Sequence, residues 1–303
     1  MRISFATAWD RMLLNINRDS VDLDRLTTEI GSGKRLLEPS DDPAAWSQKV
    51  EMKQGLRELQ TFKDNVDFGI GWNQAVEDAL NRASDLLMRA KEVGMGAVKL
   101  VDAEERSAKV DELQQIFEEA LGVMNEQYGE LYLFSGKQTS TAPFQLGDPT
   151  DPGYPDFTYH GDTQDYQVRV GKDFRQTINL NGADVFFADA SDVDTNLLKR
   201  IMDLRDAVRE GDTDKITSLL GSLDEDYERI TMKQSTVGVR LEGLDRQKSA
   251  LESIAVNRTD RLSEIEDADV AEVITRLQQK QVAYEAALRA TTLIKDLNLA
   301  KFL

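Results

Sequence analysis

The chain has 303 residues, of which 37 are Lys or Arg and 55 are Asp or Glu, so its net charge at pH 7 is −18. At ~150 residues per domain, this length allows two or three domains. The acidic balance argues against binding to a nucleic-acid backbone, which needs a dense cationic face. Zero cysteines exclude a disulfide framework, cysteine zinc sites and thiol catalysis.

The pattern from Trp9 to Ile30 predicts an amphipathic helix. Apolar side chains recur there at alternating spacings of four and three residues, a period typical of coiled coils. Gly31-Ser32-Gly33 interrupts this pattern, so the first helix should end there. Ser40-Asp41-Asp42 offers N-cap oxygens, and Pro43 suits the first position of a second helix.

The second helix should continue to Gly94 and Gly96, which we expect to stop it. Asp102 and Glu105 resemble a capping box and predict that a third helix begins there. Gly69 and Gly71 weaken the expectation of continuous helix in the middle of the second element.

Another apolar stripe with four-three spacing extends from Ile216 to Ile265. About 50 helical residues at ~1.5 Å each extend ~75 Å, which favours a rod. The stripe loses its phase in Asp267-Ala268-Asp269 and resumes at Val270, so a further helix should follow this break.

The middle of the chain differs in composition. Eleven of the 21 aromatic residues lie between Tyr128 and Phe187, together with four of the six prolines. Alternating patterns in 165–170 and 175–180 predict short strands. Asp194 should cap a short helix that ends at Gly211.

These patterns predict a mainly α fold. We expect an elongated rod of long antiparallel coiled-coil helices, an inserted small β-rich domain, and N- and C-termini paired in a terminal helical unit. The predicted domains are a terminal coiled-coil assembly domain (1–42 with 270–303), a helical rod domain (43–137 with 194–269) and the inserted domain (138–193).

Catalytic and metal-binding patterns are weak in this sequence. Gly33-Lys34 lacks the upstream glycine and the following hydroxyl of a phosphate-binding loop. The single histidine, His160, cannot build a histidine metal cluster. Asp192, Asp194 and Asn196 begin like a calcium loop, but Leu197 replaces the required glycine, which favours a helix cap. We therefore expect no enzyme, no cofactor and no metal site; a secreted acidic hydrolase is a remote alternative.

The terminal helices are the candidate interaction surface. Two paired helices leave much apolar surface in water, so the stripe residues either pack only within one chain or also pack against copies of it. Residues 1–34 hold five acids and five bases, and residues 270–303 hold three acids and five bases, so the net negative charge lies in the body. Near-neutral ends favour assembly because close packing meets little repulsion. The predicted assembly interface is Trp9, Leu13, Ile16, Leu23, Ile30, Val270, Ile274, Leu277, Tyr284 and Leu288.

Several motifs resemble the flagellin-like family of bacterial flagellar proteins. Residues 32–36 (Ser-Gly-Lys-Arg-Leu) and 39–45 (Pro-Ser-Asp-Asp-Pro-Ala-Ala) are similar to its N-terminal signature. The prolines that flank Ser-Asp-Asp are those of hook–filament junction proteins, whereas flagellins proper usually lack them. Residues 125–144 and 262–269, with the final Phe302-Leu303, are similar to the same group.

The resemblance implies a structural protein of the flagellum that joins the hook to the filament. It implies self-association into a ring, contacts with hook-associated protein 1 and flagellin, and a flagellar export chaperone. It also implies an extracellular location reached through the flagellar type III channel without a cleaved signal. A short flagellin that forms the filament itself is the alternative. No apolar run approaches the ~18 residues of a membrane span, so we expect no membrane insertion, and no nucleic-acid partner.

Overall fold

The computed structural model describes residues 5–100, 102–147, 157–189, 192 and 195–299, and most of them are helical. In this part of the chain the helices are α1 (Phe5–Ser32), α2 (Pro43–Ala97), α3 (Ala103–Met124), α4 (Gly182–Phe186), α5 (Leu197–Glu210), α6 (Thr213–Glu266) and α7 (Val270–Leu299). The strands are β1 (Gln127–Tyr128), β2 (Leu131–Tyr132), β3 (Phe144–Leu146), β4 (Phe157–Tyr159), β5 (Gln167–Arg169) and β6 (Arg175–Thr177). The mainly α class with strands in the middle is confirmed.

The chain forms two compact units. One contains the described residues up to Glu58 together with those from Ile254 onward, and we call it the terminal unit. The other contains the described residues of Leu59–Ser253, and we call it the central unit. The three-part division into 1–42 with 270–303, 43–137 with 194–269, and 138–193 stays a prediction.

The predicted helix ends near the N-terminus are confirmed. α1 ends at Ser32, and Gly33 follows with φ of 67°, a conformation that favours glycine. Asp42 then caps α2, because its Oδ1 accepts hydrogen bonds from the backbone N–H of Ala44 (3.1 Å) and Ala45 (3.0 Å). Pro43 occupies the first helical position.

Two other helix boundaries differ from the prediction. α2 continues through Gly94 and Gly96 and ends at Ala97. Gly94 is buried against Leu204 and Leu220, so close packing accounts for a glycine inside the helix. Asp194 lies outside the described residues, and the cap of α5 is Asn196, whose side chain accepts from the backbone N–H of Lys199 at 2.7 Å.

The phase break near the C-terminus is a helix boundary, as predicted. α6 ends at Glu266 and α7 begins at Val270. Asp269 caps α7 by accepting from the backbone N–H of Ala271 at 3.0 Å and of Glu272 at 3.2 Å. α7 packs against α1 within the terminal unit, which confirms that the helices near the two termini are paired.

The strands of the central unit form three separate antiparallel pairs, β1–β2, β3–β4 and β5–β6. No described strand exceeds three residues. Contacts between aromatic rings, in addition to these short strand pairs, pack the segment together. One ring cluster comprises Phe134, Phe144, Tyr159, Phe186 and Phe187.

The glycines in the middle of α2 mark where the strand-bearing segment packs on the helix. A Cβ added to Gly69 would lie 3.1 Å from Ile178 Cγ2, and one added to Gly71 would overlap the hydroxyl of Tyr128. The helix stays continuous because glycine permits this close approach. Arg240 of α6 also donates from Nη1 to the Asn179 carbonyl at 2.6 Å.

Candidate assembly interface

The ten residues of the predicted assembly interface lie on α1 and α7, and none of them is buried in the single chain. Leu13 is 46% exposed and Leu288 is 41% exposed. The pairing of α1 with α7 therefore leaves much of this apolar surface in contact with water. Leu13, Ile16 and Tyr284 share an open groove that Leu14 extends.

Sequence reasoning missed the residues that hold α1 and α7 together. Among the side chains of these two helices whose burial the structure describes, the buried apolar ones are Leu26 and Val273. Lys280 of α7 donates to Asp19 Oδ1 at 3.0 Å and to Asp22 Oδ2 at 2.7 Å on α1. The seam between the helices is thus partly ionic. Six of the ten predicted residues are half-buried in the single chain, namely Trp9, Ile16, Leu23, Ile30, Leu277 and Tyr284.

A cluster of charges lies where the loop before α2 and the first turns of α2 meet the end of α6. We define the lysine–glutamate cluster as Lys34, Lys49, Lys53 and Glu266. The Glu266 side chain is 5% exposed, and its carboxylate lies 2.7 Å from Lys34 Nζ, 3.2 Å from Lys49 Nζ and 2.9 Å from Lys53 Nζ. Lys34 also pairs with Asp267 Oδ1 at 2.5 Å.

Electrostatics within the cluster shift the proton equilibria of its members. Burial alone raises the pKa of Glu266, but hydrogen bonds from Lys34, Lys53 and Lys49 outweigh it and lower the pKa to about 2. Hydrogen bonds to Asp267 and Glu266 raise the pKa of Lys34. Glu266 is therefore ionised at every physiological pH, and the cluster is a permanent ionic contact.

Backbone hydrogen bonds join the same two parts of the chain. Arg35 N–H donates to the Glu266 carbonyl at 2.7 Å, and Ala268 N–H donates to the Gly33 carbonyl at 3.0 Å. These residues belong to the motifs at 32–36 and 262–269 that carry the family resemblance. The structure brings the two motifs, more than 200 positions apart in sequence, into one contact of the terminal unit.

The candidate catalytic and metal-binding residues do not form a site in the described part of the chain. His160 is exposed, and its Nε2 lies 3.1 Å from Thr158 Oγ1. Across the described residues, no group of three or more His, Cys, Asp or Glu side chains is placed to hold a metal ion. None of the helices that the structure describes combines the length and apolarity needed to cross a bilayer.

Both helical ends of the chain match family models. Residues 3–139 match the bacterial flagellin N-terminal helical region, and residues 220–303 match the bacterial flagellin C-terminal helical region. Together these matches cover α1, α2, α3 and α7 and most of α6. The chain belongs to the flagellin-like family.

Two relatives that match almost the full chain are named flagellar hook-associated protein 3. The chain is 24% identical over 321 residues to flagellar hook-associated protein 3 of Salmonella typhimurium, covering 99% of this chain and 98% of the relative. It is 22% identical over 320 residues to the Escherichia coli protein of that name, with the same coverage. A putative flagellar hook-associated protein from Vibrio parahaemolyticus has the same fold, with a TM-score of 0.67, 18% identity, and coverage of 75% of this chain and 100% of that one.

These similarities establish the broad role of the chain. It is a structural component of the bacterial flagellum of the hook-associated type, and it acts in motility. Its relatives are structural proteins rather than enzymes, which excludes the acidic hydrolase considered from the sequence.

Proposed function

We propose that this chain is a junction subunit that joins the hook, through hook-associated protein 1, to the flagellin filament. The observation that carries the proposal is the apolar face of the α1–α7 pair, which the single chain leaves exposed at Leu13, Ile274 and Leu288. Paired helices that expose such a face gain stability when neighbours cover it. We infer that copies of the chain form a ring by packing these helices against one another.

The lysine–glutamate cluster supports this proposal by fixing the base of the pair. It ties the loop after α1 and the first turns of α2 to the end of α6, so α1 ends and α7 begins near one anchored point. A preorganised interface loses less conformational entropy on assembly. The ten residues of the predicted assembly interface remain our candidates for the contacts between subunits.

The same proposal covers how the subunit reaches its place. A part that lies between hook and filament is extracellular, and we propose that it leaves the cell through the flagellar type III channel with the help of an export chaperone. Subunits that assemble only outside the cell must be exported as monomers, so their assembly surfaces must be covered before export. The near-neutral helices α1 and α7 are the segments that such a chaperone would cover.

Electron microscopy of cells that lack the gene tests the proposal. We expect hooks without filaments and flagellin released into the medium as unpolymerised protein, and we expect the gene on a plasmid to restore filaments. A short flagellin would behave differently, since cells that lack it would release no flagellin from that gene. Normal filaments on the deletion strain would contradict both roles.

A further inference from the structure

The β5–β6 hairpin of the central unit carries a cationic tip on an acidic chain. Arg169, Lys172 and Arg175 lie on this hairpin with one carboxylate, that of Asp173. Phe174 is 53% exposed at the same tip. An exposed aromatic ring among cations is typical of a protein-binding surface, where Phe and Arg are enriched.

Two cations of this hairpin face each other, which lowers the stability of the hairpin. Arg169 lies directly opposite Arg175 in the antiparallel register, and like charges in that position are destabilising. Arg169 is held within the chain, since it donates to the carbonyls of Gly171 (3.2 Å) and Lys172 (2.9 Å) and lies over the ring of Phe62. Within the described residues, the side chains of Lys172 and Arg175 have no ion pair, so they are available to a partner.

A complementary surface exists on α3. This helix has six carboxylates against two cations, a denser negative charge than the neighbouring long helices carry. Glu104, Asp111 and Glu118 recur every seven residues and therefore share one face, and all three are exposed. We call these three residues the acidic stripe.

The carboxylates of the acidic stripe are not neutralised by cations of the described chain. By contrast, their neighbours Glu112 and Glu119 are paired with Lys109 at 3.0 Å and with Arg89 at 3.1 Å. Glu118 accepts only from the neutral amide of Gln114 at 2.8 Å. The cationic tip and the acidic stripe belong to the same unit, yet no ion pair between them forms within one chain.

We propose that the cationic tip of one copy, formed by Lys172, Phe174 and Arg175, docks on the acidic stripe of a second copy of this chain. The inference rests on the proposed ring, which places copies side by side, and it names a contact between them outside the terminal helices. Such a contact joins two different surfaces, the kind of interface that closes into a ring when the rotation between subunits permits. Opposite charges set the orientation, and Phe174 loses exposed apolar surface.

Charge reversal on each side tests the contact in flagella. We expect Lys172→Glu with Arg175→Glu to lower the amount of chain recovered in sheared flagella by about tenfold, and Asp111→Lys with Glu118→Lys to do the same. The four changes combined should restore recovery to within about threefold of the parent chain, because the attraction is rebuilt with opposite signs. A control with the same change of net charge as the tip variant, Lys99→Glu with Lys215→Glu, alters two exposed lysines elsewhere and should assemble normally.

Cross-linking identifies the partner directly, since the natural chain has no cysteine to give background. Cells should co-express Lys172→Cys and Glu118→Cys as two separate chains, so that any disulfide between them joins two copies. We expect a dimer of this chain on a non-reducing gel, and none when Met232→Cys, an exposed position on α6, replaces Glu118→Cys.

The outcomes separate this inference from the proposed function. If the parent chain is absent from flagella, the proposed function fails first. If the parent chain is incorporated but the charge-reversed tip variant is incorporated equally well, the tip-to-stripe contact is wrong. A disulfide from Lys172→Cys to another flagellar protein would also overturn it, because it would assign the tip a different partner.

Discussion

Replacing Glu266 by glutamine perturbs the centre of the lysine–glutamate cluster while keeping the size of the side chain. In the native chain the carboxylate lies between three ammonium groups, at 2.7–3.2 Å from their nitrogens, and attracts all three. The amide of Glu266→Gln carries no charge, so these three cations would repel one another around a nearly buried group. We expect the terminal unit to lose stability, with little effect on the central unit.

The magnitude follows from the pKa of Glu266. A decrease from 4.5 in the unfolded chain to about 2 in the native chain corresponds to about 3 kcal/mol at pH 7. Because the native pKa is the lower one, this stabilisation is fully present above pH 4.5 and is lost as the pH falls through about 2. At pH 3 it should amount to about 1.4 kcal/mol.

Hydrogen exchange of the end of α6 measures this loss within the terminal unit. At neutral pH we expect amides in 255–266 to exchange about 100-fold faster in Glu266→Gln than in the native chain, and about tenfold faster at pH 3. Glu264→Gln is the matched control, since Glu264 is exposed on the same turn, and it should change exchange less than about threefold. Equal exchange rates in Glu266→Gln and Glu264→Gln at neutral pH would refute the reasoning. An effect of Glu266→Gln that is as large at pH 3 as at neutral pH would also refute it.

Two further substitutions test the interface and the packing. Leu277→Asp should prevent incorporation into flagella while leaving the purified chain folded by circular dichroism, because Leu277 is only half-buried in the single chain and the carboxylate becomes far more costly when neighbours bury it fully. Gln278→Asp, on an exposed position, should assemble, and filaments on Leu277→Asp cells would contradict the interface. Gly71→Ala should destabilise the purified chain by about 1–2 kcal/mol in urea unfolding because the added methyl overlaps the packed Tyr128 hydroxyl. Gly96→Ala has open space and should stabilise it by up to about 1 kcal/mol, so equal effects of the two alanines would rule out this explanation of Gly71.

Local signals in the sequence were sufficient for several of the helix boundaries. Gly33, Asp42 and the phase break at 267–269 lie where the structure ends or begins helices. Each signal depends only on neighbouring backbone groups, such as a cap oxygen or a residue that tolerates positive φ. The same reasoning failed at Gly94, because that glycine serves a tertiary contact with Leu204 and Leu220 rather than a helix end.

The contacts within the candidate site required the fold. The apolar stripe predicted which helices pair, but not that Leu26 and Val273 are the buried residues or that Lys280 bridges to two aspartates. Lys34 and Glu266 are 232 positions apart, and nothing in either segment alone indicates that they meet. Apolar contacts between helices can be predicted because apolar residues recur at a regular spacing. Ion pairs between helices show no such regular spacing, so the sequence alone does not predict them.

The position of the chain on the flagellum tests its proposed role as a junction subunit most directly. Gold-labelled antibodies against the central unit, viewed by electron microscopy on intact flagella, should mark one narrow band where the hook meets the filament. Label along the whole filament would contradict a junction subunit and assign the chain to the filament as a flagellin.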